Sequence, residues 1–314
     1  MSLLRRGLFA LACAAVMGAS GAAAVADEAV EAAPPTLAGG WAPLNRCPVD
    51  DPAMLAATGT TTVANCLASE AASGTIKLGS TTVTTGATNL QFGVVSSSST
   101  FNVVSPAGGA IVAAPVQIPG GLLGLMCPSD IPLISQICDQ LVNGAVNTVT
   151  ATVRPAGDPS EFSLSAGLGV GQPILRLPVK VQLSNPFLGS NCFIGSNSDP
   201  IVLHPVNLTR PTGSVVRFDP NGTLNPKGVQ GYAVATGASQ SDTTFAVPGA
   251  NGCGLFGLLD FAVNLKQGLP SPSGNNALTL DSATTRFGGF FIPSMAAPNE
   301  GKQLSTNWHA AIVR

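Results

Sequence analysis

Charge is scarce in this 314-residue chain. Only 10% of the residues are Asp, Glu, Lys or Arg, against about a quarter in an ordinary domain. The 14 basic residues form no stripe and the formal net charge is −2, which excludes binding to a phosphate backbone, where clustered Lys and Arg are needed. Histidine is nearly absent, with two residues, His204 and His309. Neither sits in a recognisable nucleophile–base–acid set, and no Gly-x-Ser-x-Gly elbow occurs. Two histidines and no Cys-x-x-Cys also leave no metal-ligand pattern. Two Trp and one Tyr offer few platforms for stacking a sugar. Apolar residues nevertheless make up 45%, so the chain has the means to build a core and does not read as disordered. Gly, Pro, Ser and Thr take the place of the missing charges.

The start of the chain carries the strongest motif. Arg5 and Arg6 precede an apolar stretch from Gly7 to Ala19, and Ala24-Val25-Ala26 gives a small-x-small site before Asp27 and Glu28. This pattern predicts a signal peptide over residues 1–26, too short and too rich in Ala and Gly for a membrane anchor. The residues before Cys13 do not make a lipidation site. After the signal no transmembrane helix is expected. Removing the signal leaves six cysteines: Cys47, Cys66, Cys127, Cys138, Cys192 and Cys253. An even number in an exported chain reads as three disulfides. Fifteen pairings are possible, and the sequential set Cys47–Cys66, Cys127–Cys138 and Cys192–Cys253 is preferred. Their chemistry predicts an oxidising compartment, outside the cell or against its wall.

The rest of the chain is punctuated β sequence. Residues 27–73 read as a flexible N-terminal segment holding the first cysteine pair, with a short helix near Pro52–Ala57. Residues 74–314 read as a β-rich domain of one or two sub-sheets. Residues 78–129 contain no Asp, Glu, Lys, Arg or His. Strands are expected within them at Ser80–Thr85, Thr88–Val95, Thr100–Ser105 and Ala110–Ile118. Leu175, Leu177, Val179, Val181 and Leu183 alternate with Arg176, Pro178, Lys180 and Gln182, a complete period of two. Pro178 marks that strand as an edge or as one with an interrupted ladder. Further strands are expected at Ala145–Arg154, Ile201–Thr209, Val229–Thr236 and within 277–292. Helices are expected at Ser129–Asn143 and Cys253–Gln267, the second stopped by Gly268. Asp219-Pro220-Asn221-Gly222 reads as a turn rather than a calcium loop, because no closing Glu follows. Gly167–Gly171 leads into a strand and not a helix, the wrong order for a phosphate cradle. The predicted fold is mainly β: an antiparallel sandwich or barrel-like body with one or two short helices, stapled by disulfides.

Three stretches carry a resemblance. Gly120-Gly121-Leu122-Leu123-Gly124-Leu125-Met126-Cys127-Pro128-Ser129, Gly171–Val181 and Asn191-Cys192-Phe193-Ile194-Gly195-Ser196-Asn197-Ser198-Asp199-Pro200-Ile201, together with Leu269–Asn276, resemble a group of secreted proteins of high-GC Gram-positive (actinobacterial) bacteria. The likeness runs over residues 106–280. It implies export and a shared cysteine-bearing scaffold, and it brings no catalytic residue, cofactor or metal ligand with it. The functional expectation is an exported or cell-envelope protein of structural or interaction type, whose partners are envelope components or further copies of itself. Two alternatives are a hydrolase with an unrecognised carboxylate pair and an envelope-inserted β-barrel with an apolar belt and polar lumen.

Overall fold

Antiparallel pairing between distant parts of the chain organises the molecule. The structure is a computed structural model and describes residues 33–98, 100–126 and 147–314. The strands in chain order are β1 (Thr62–Ala71), β2 (Ser73–Leu78), β3 (Thr81–Thr85), β4 (Thr88–Ser97), β5 (Thr100–Val104), β6 (Ile111–Ala113), β7 (Val116–Gln117) and β8 (Thr150–Pro155). They continue with β9 (Leu177–Ser184), β10 (Phe193–Ile194), β11 (Ile201–Leu203), β12 (Val206–Asn207), β13 (Thr212–Phe218), β14 (Gln230–Asp242), β15 (Ala250–Asn251) and β16 (Ala277–Phe291). Among the described residues the larger sheet runs β12-β14-β16-β1-β4-β5, with β13 on β14, the β2–β3 hairpin on β16 and β6 on β4. The smaller sheet runs β15-β10-β9-β8-β7, with β11 also on β9.

The two sheets face each other, so the larger sheet has one inner and one outer side. Along β1 the residues Leu67, Ser69 and Ala71 turn inward, while Ala64, Cys66 and Ala68 turn outward into a second core. That outer core is closed by both ends of the described chain: a 3-10 turn (Gly39–Leu44), helix α1 (Pro52–Leu55) and the C-terminal helix α5 (Glu300–Ala310). Trp41 is fully buried there. Its indole N–H donates to the Pro220 carbonyl at 2.9 Å, and its ring stands edge-on to Phe218 at 5.1 Å. Gly40 is required beneath it, because a Cβ would lie 2.3 Å from the Phe218 ring. The Trp308 N–H donates to the Leu44 carbonyl at 2.9 Å and ties α5 to the N-terminal turn.

Residues 33–73 are therefore not a flexible appendage, and no boundary falls at 73/74. Ala33–Arg314 forms one compact unit, and β1 lies in the middle of the larger sheet between β16 and β4. The buried Trp41, Leu44, Val49 and Met54 supply the reason, since each removes apolar surface from water. The Cys47–Cys66 disulfide fastens the cap to β1, with Cα atoms 5.6 Å apart. Cys66 is flanked across the sheet by Gly288 on one side and Gly93 on the other. A Cβ at Gly93 would meet Met54 Sδ at 2.6 Å, so the glycine is what lets the cap sit flat on the sheet.

The Cys192–Cys253 disulfide is also formed, with Cα atoms 4.1 Å apart. The expected Cys127–Cys138 bridge, the helix over Ser129–Asn143 and the signal peptide over residues 1–26 fall outside the described residues. The alternating strand at Leu175–Leu183 is β9, with Leu177, Val179, Val181 and Leu183 buried. It is not an edge. β8 pairs along one side, and two short strands, β10 and β11, share the other side in succession. Pro178 lies at the interrupted ladder, opposite Val202. Two further short helices are α2 (Gly121–Met126) and α3 (Leu164–Leu168), the latter capped by Ser163 Oγ, which accepts the Ala166 N–H. The helix expected over Cys253–Gln267 is shorter than read. Gly254 and Gly257 take positive φ around a 3-10 turn (Leu255–Gly257), and helix α4 (Asp260–Gln267) begins only where the Asp260 carboxylate accepts the Cys253 N–H at 2.7 Å. Gly268, in the left-handed region at φ 63°, ends it as expected. The long strand β16 changes phase at Ser282 (φ 48°), so that Leu278 and Leu280 before the irregularity, and Ala283, Thr285 and Phe287 after it, all face inward.

Candidate apolar ligand cavity

The side chains on the inner face of the larger sheet set the shape of the space between the sheets. One cross-strand row reads Ala233, Phe287, Leu67, Phe92 on β14, β16, β1 and β4. The next reads Ala235, Thr285, Ser69, Leu90. The third brings Ala71 opposite Thr88, with Ala283 nearby on β16. Small residues occupy the centre of the second and third rows. The smaller sheet answers with Val153, Val179, Val181 and Ile201 but does not reach across. Phe162 closes one end, edge-on to Phe92 at 5.6 Å and to Phe101 at 5.7 Å.

What remains is an apolar cavity of about 330 Å³. A second chamber of about 70 Å³ adjoins it under the β2–β3 hairpin, and Ile76, Thr85, Thr88, Val153 and Val181 line both. Leu168 on α3 and Met295 line the larger chamber while remaining half exposed, at 52% each, and mark its mouth beside Gly213 and Ser214. None of the described residues lining either chamber is charged. Several of the polar side chains there have partners within the protein. Ser69 and Thr285 share a hydroxyl–hydroxyl bond of 2.8 Å. Gln240 Nε2 donates to Asn207 Oδ1 at 3.1 Å. Gln267 Nε2 donates to the Leu125 carbonyl at 2.8 Å, and its oxygen accepts from Thr81. Thr85 Oγ1 differs: it is buried and has no partner among the described residues.

The carboxylates are used elsewhere. Asp242 accepts the His204 backbone N–H at 2.6 Å and both the N–H and the hydroxyl of Thr244 at 2.7 Å. Glu70 pairs with Arg286 at 3.0 Å. Asp219 accepts from Asn225 Nδ2 at 2.9 Å inside the turn containing Gly222, whose φ is 89°. Asp50 accepts from Ser305 Oγ at 2.7 Å and lies 2.9 Å from His309 Nε2. Burial opposes ionisation of Asp50, but the hydrogen bonds from Ser305 and His309 and the histidine's charge outweigh it and hold the carboxyl below its ordinary range. Glu300 is fully buried in the outer core. Its Oε2 accepts the Ala64 N–H at 2.8 Å, its Oε1 has no partner among the described residues, and burial pushes its pKa up to about 7. No group of three or more His, Cys, Asp or Glu able to hold a metal occurs among the described residues, and no helix there is long and apolar enough to cross a membrane. His204 lies in the connection between β11 and β12 and His309 on α5, and neither lines the cavity.

Sequence reasoning did not find this cavity. Its signal was present in the strands as alternation between large and small inward positions: Leu67 then Ser69 and Ala71, Phe287 then Thr285 and Ala283.

No family model matches the chain, and no curated protein matches it. Among solved structures it is weakly similar to DynF from the dynemicin biosynthesis pathway of Micromonospora chersina. The identity is 14%, with 75% of this chain and 84% of that chain covered, and the TM-score of 0.19 carries no argument about fold or function.

Proposed function

We propose that this is an exported, non-catalytic binding protein that holds an elongated apolar molecule between its two sheets. The observation that carries the reading is the cavity of about 330 Å³ walled by uncharged, mostly aliphatic and aromatic side chains. Protein interiors pack as densely as organic crystals, and an unfilled space costs about 24 cal/mol per Å³. At that rate a sealed void of this size would cost about 8 kcal/mol, comparable with the whole stability of a domain at about 5–15 kcal/mol, and a space open at one mouth costs less. Filling the central small positions with Leu or Val would remove that cost. Their retention supports a requirement for space. A cavity of about 150 Å³ takes a six-carbon ring, so this one has room for about thirteen heavy atoms, the size of a twelve-carbon alcohol. Burying twelve methylene-sized groups yields about 10 kcal/mol gross, which leaves useful affinity after the cost of association.

Export is supported by Arg5 and Arg6, the apolar stretch after them and the Ala24–Ala26 site, and two disulfides suit an oxidising compartment. Contact with envelope material or self-association is supported by the turn at Leu255, Phe256 and Leu258, where Phe256 is 94% exposed. The barrel alternative expects a polar lumen, whereas the space between these sheets is apolar. The hydrolase alternative expects two carboxylates across a cleft, and no described carboxylate lines this one.

The test is competition for a neutral fluorescent probe, N-phenyl-1-naphthylamine, on the purified oxidised chain. Saturable one-to-one binding, displaced by dodecan-1-ol and lost in Ala235→Phe, is expected. Unchanged probe binding in that cavity-filling variant, provided that it melts cooperatively, would refute the reading.

A further inference from the structure

The four most exposed large apolar side chains among the described residues are Leu255, Phe256, Leu258 and Phe261, at 66–94%. Leu265, half exposed, follows them on α4. Leu258, Phe261 and Leu265 are spaced by three and four and share one side of the helix, while Leu259, Ala262 and Val263 pack into the core between the sheets. We propose that this turn and the outer side of α4 dock into the surface of a lipid bilayer. Such docking gives a partner to the envelope contact read above, on which it rests, and is independent of the cavity.

The turn is anchored in a form that holds these side chains in water. Phe256 has φ 54° and ψ 27°, in the left-handed region where Gly or Asn is the ordinary occupant. A phenylalanine there carries backbone strain and, at 94% exposure, gains almost no packing in return. The surroundings fix this conformation. The Asp260 carboxylate accepts the N–H groups of Cys253 at 2.7 Å and Gly252 at 3.2 Å. The Gly254 N–H donates to the Leu188 carbonyl at 2.8 Å, and Cys253 is bonded to Cys192. A Cβ at Gly257 would lie 2.7 Å from the Asp260 carboxylate, so only glycine fits beside it. Strain and exposure at one residue of an anchored turn mark a contact surface.

Area and charge decide the occupant. The five side chains offer about 500 Å² of apolar surface, at about 150–250 Å² for a whole aromatic side chain. That is the size of a functional patch on a monomer, about 300–600 Å², and falls short of the about 800 Å² per partner in a stable protein interface. A ring as exposed as Phe256 protrudes. A second copy could take it only in a matching pocket, whereas lipid conforms to its shape. Between Ala250 and Leu265 the one charged residue is Asp260, already held by two backbone N–H groups, and Lys266 borders the patch. Docking is therefore carried by burial of apolar surface and is nearly indifferent to salt.

The experiment sediments the oxidised full-length mature chain with vesicles of phosphatidylcholine, with and without phosphatidylglycerol. Wild type is expected to bind both, with at most about a five-fold gain from the anionic lipid, the worth of the one lysine at the border. It should stay bound at about 1 M salt, where charges are screened within about 3 Å. Phe256→Asn, which suits the left-handed backbone, and Phe261→Ser should each weaken binding about ten-fold or more, the worth of one phenylalanine returned to water. Leu224→Ser, at an exposed position on the other sheet, should leave it unchanged. Phe256→Trp adds an exposed indole to a chain whose Trp41 and Trp308 are buried, and its emission should shift to the blue on vesicles and be quenched by brominated lipid. No co-sedimentation of wild type, undiminished binding of Phe256→Asn, or emission of Phe256→Trp unmoved by vesicles would each overturn the proposal. So would a wild-type dimer that ignores vesicles and dissociates in Phe256→Asn, which would assign the face to a second copy. Binding of N-phenyl-1-naphthylamine should persist in all these variants, so vesicle docking and the cavity reading can fail separately.

Discussion

Glu300 gives the most quantitative handle on this fold. It lies at the first position of α5, without accessible surface, and its carboxyl group is shared between one backbone N–H and an unpartnered oxygen. Burial raises its pKa from 4.5 to about 7. A carboxyl whose folded pKa lies above its unfolded value binds more protons in the native state than in the unfolded chain between those two pH values. Stability therefore falls as pH rises from about 4.5 to about 7 and is level above that. At 1.36 kcal/mol per pKa unit, and allowing for local relaxation, the loss is about 2–3 kcal/mol. Glu300→Gln removes the titration and keeps an oxygen for the Ala64 N–H, at the price of an amide group facing an apolar core. The variant should match or fall slightly below wild type at pH 5 and exceed it at pH 8, by about 4–9 °C in Tm at about 2–3 °C per kcal/mol for a chain of this size. Thermal melts at half-unit intervals from pH 5 to pH 8 provide the measurement. Asp50 does not interfere, because a depressed carboxyl loses its stabilisation only in acid below this window. Parallel pH profiles for wild type and Glu300→Gln would refute the claim that a buried carboxyl locks α5 to β1.

Replacing Cys192 and Cys253 by Ala, with a sequence separation of 61, should destabilise by about 4 kcal/mol in urea denaturation, and replacing Cys47 and Cys66, separated by 19, by about 3 kcal/mol. A larger loss for the shorter loop would show that the cap depends on its disulfide beyond chain entropy. Trp41→Ala should cost about 3–5 kcal/mol, since it empties the outer core and strands the Pro220 carbonyl. An unchanged denaturation midpoint would contradict the packing described for the N-terminal turn.

The elements that could be read from sequence are those whose local pattern matches their final environment. β9 has one wet and one dry side, so its alternation is complete, and β3, β4 and β5 are separated by turn residues where the strands do separate. β1 could not be read in this way. Both of its sides are buried over Ala64–Ala68, and Asn65 and Glu70 interrupt any apolar pattern, so Thr62–Ala71 resembles a polar loop until its neighbours are known. The same holds for α5, whose short segment Glu300–Ala310 is held by Trp308 and Leu304 against residues more than 200 positions away. The disulfide partners Cys47–Cys66 and Cys192–Cys253 followed from sequential order. The cavity did not follow from any local pattern, because an empty space is a relation between rows on different strands.

The charge-free stretch over residues 78–129 links the composition to the cavity. β3, β4 and β6 fall within it and contribute Thr85, Thr88, Leu90, Phe92 and Ile111 to the chamber walls. A charge placed on an inward position there would sit in an apolar space without a partner, and the outward positions of the β2–β3 hairpin, such as Thr82 and Thr84, are exposed threonines rather than lysines or glutamates. Burial alone explains the inward set. It does not explain why Ala71, Ala233, Ala235 and Ala283 stand where Leu or Val would fill the gap and raise stability. Selection for stability acts against such a row of small residues, and selection for a guest acts for it. A stabilised variant with Val at Ala235 should therefore melt higher and bind less, and the two effects should scale together as the side chain at that position grows.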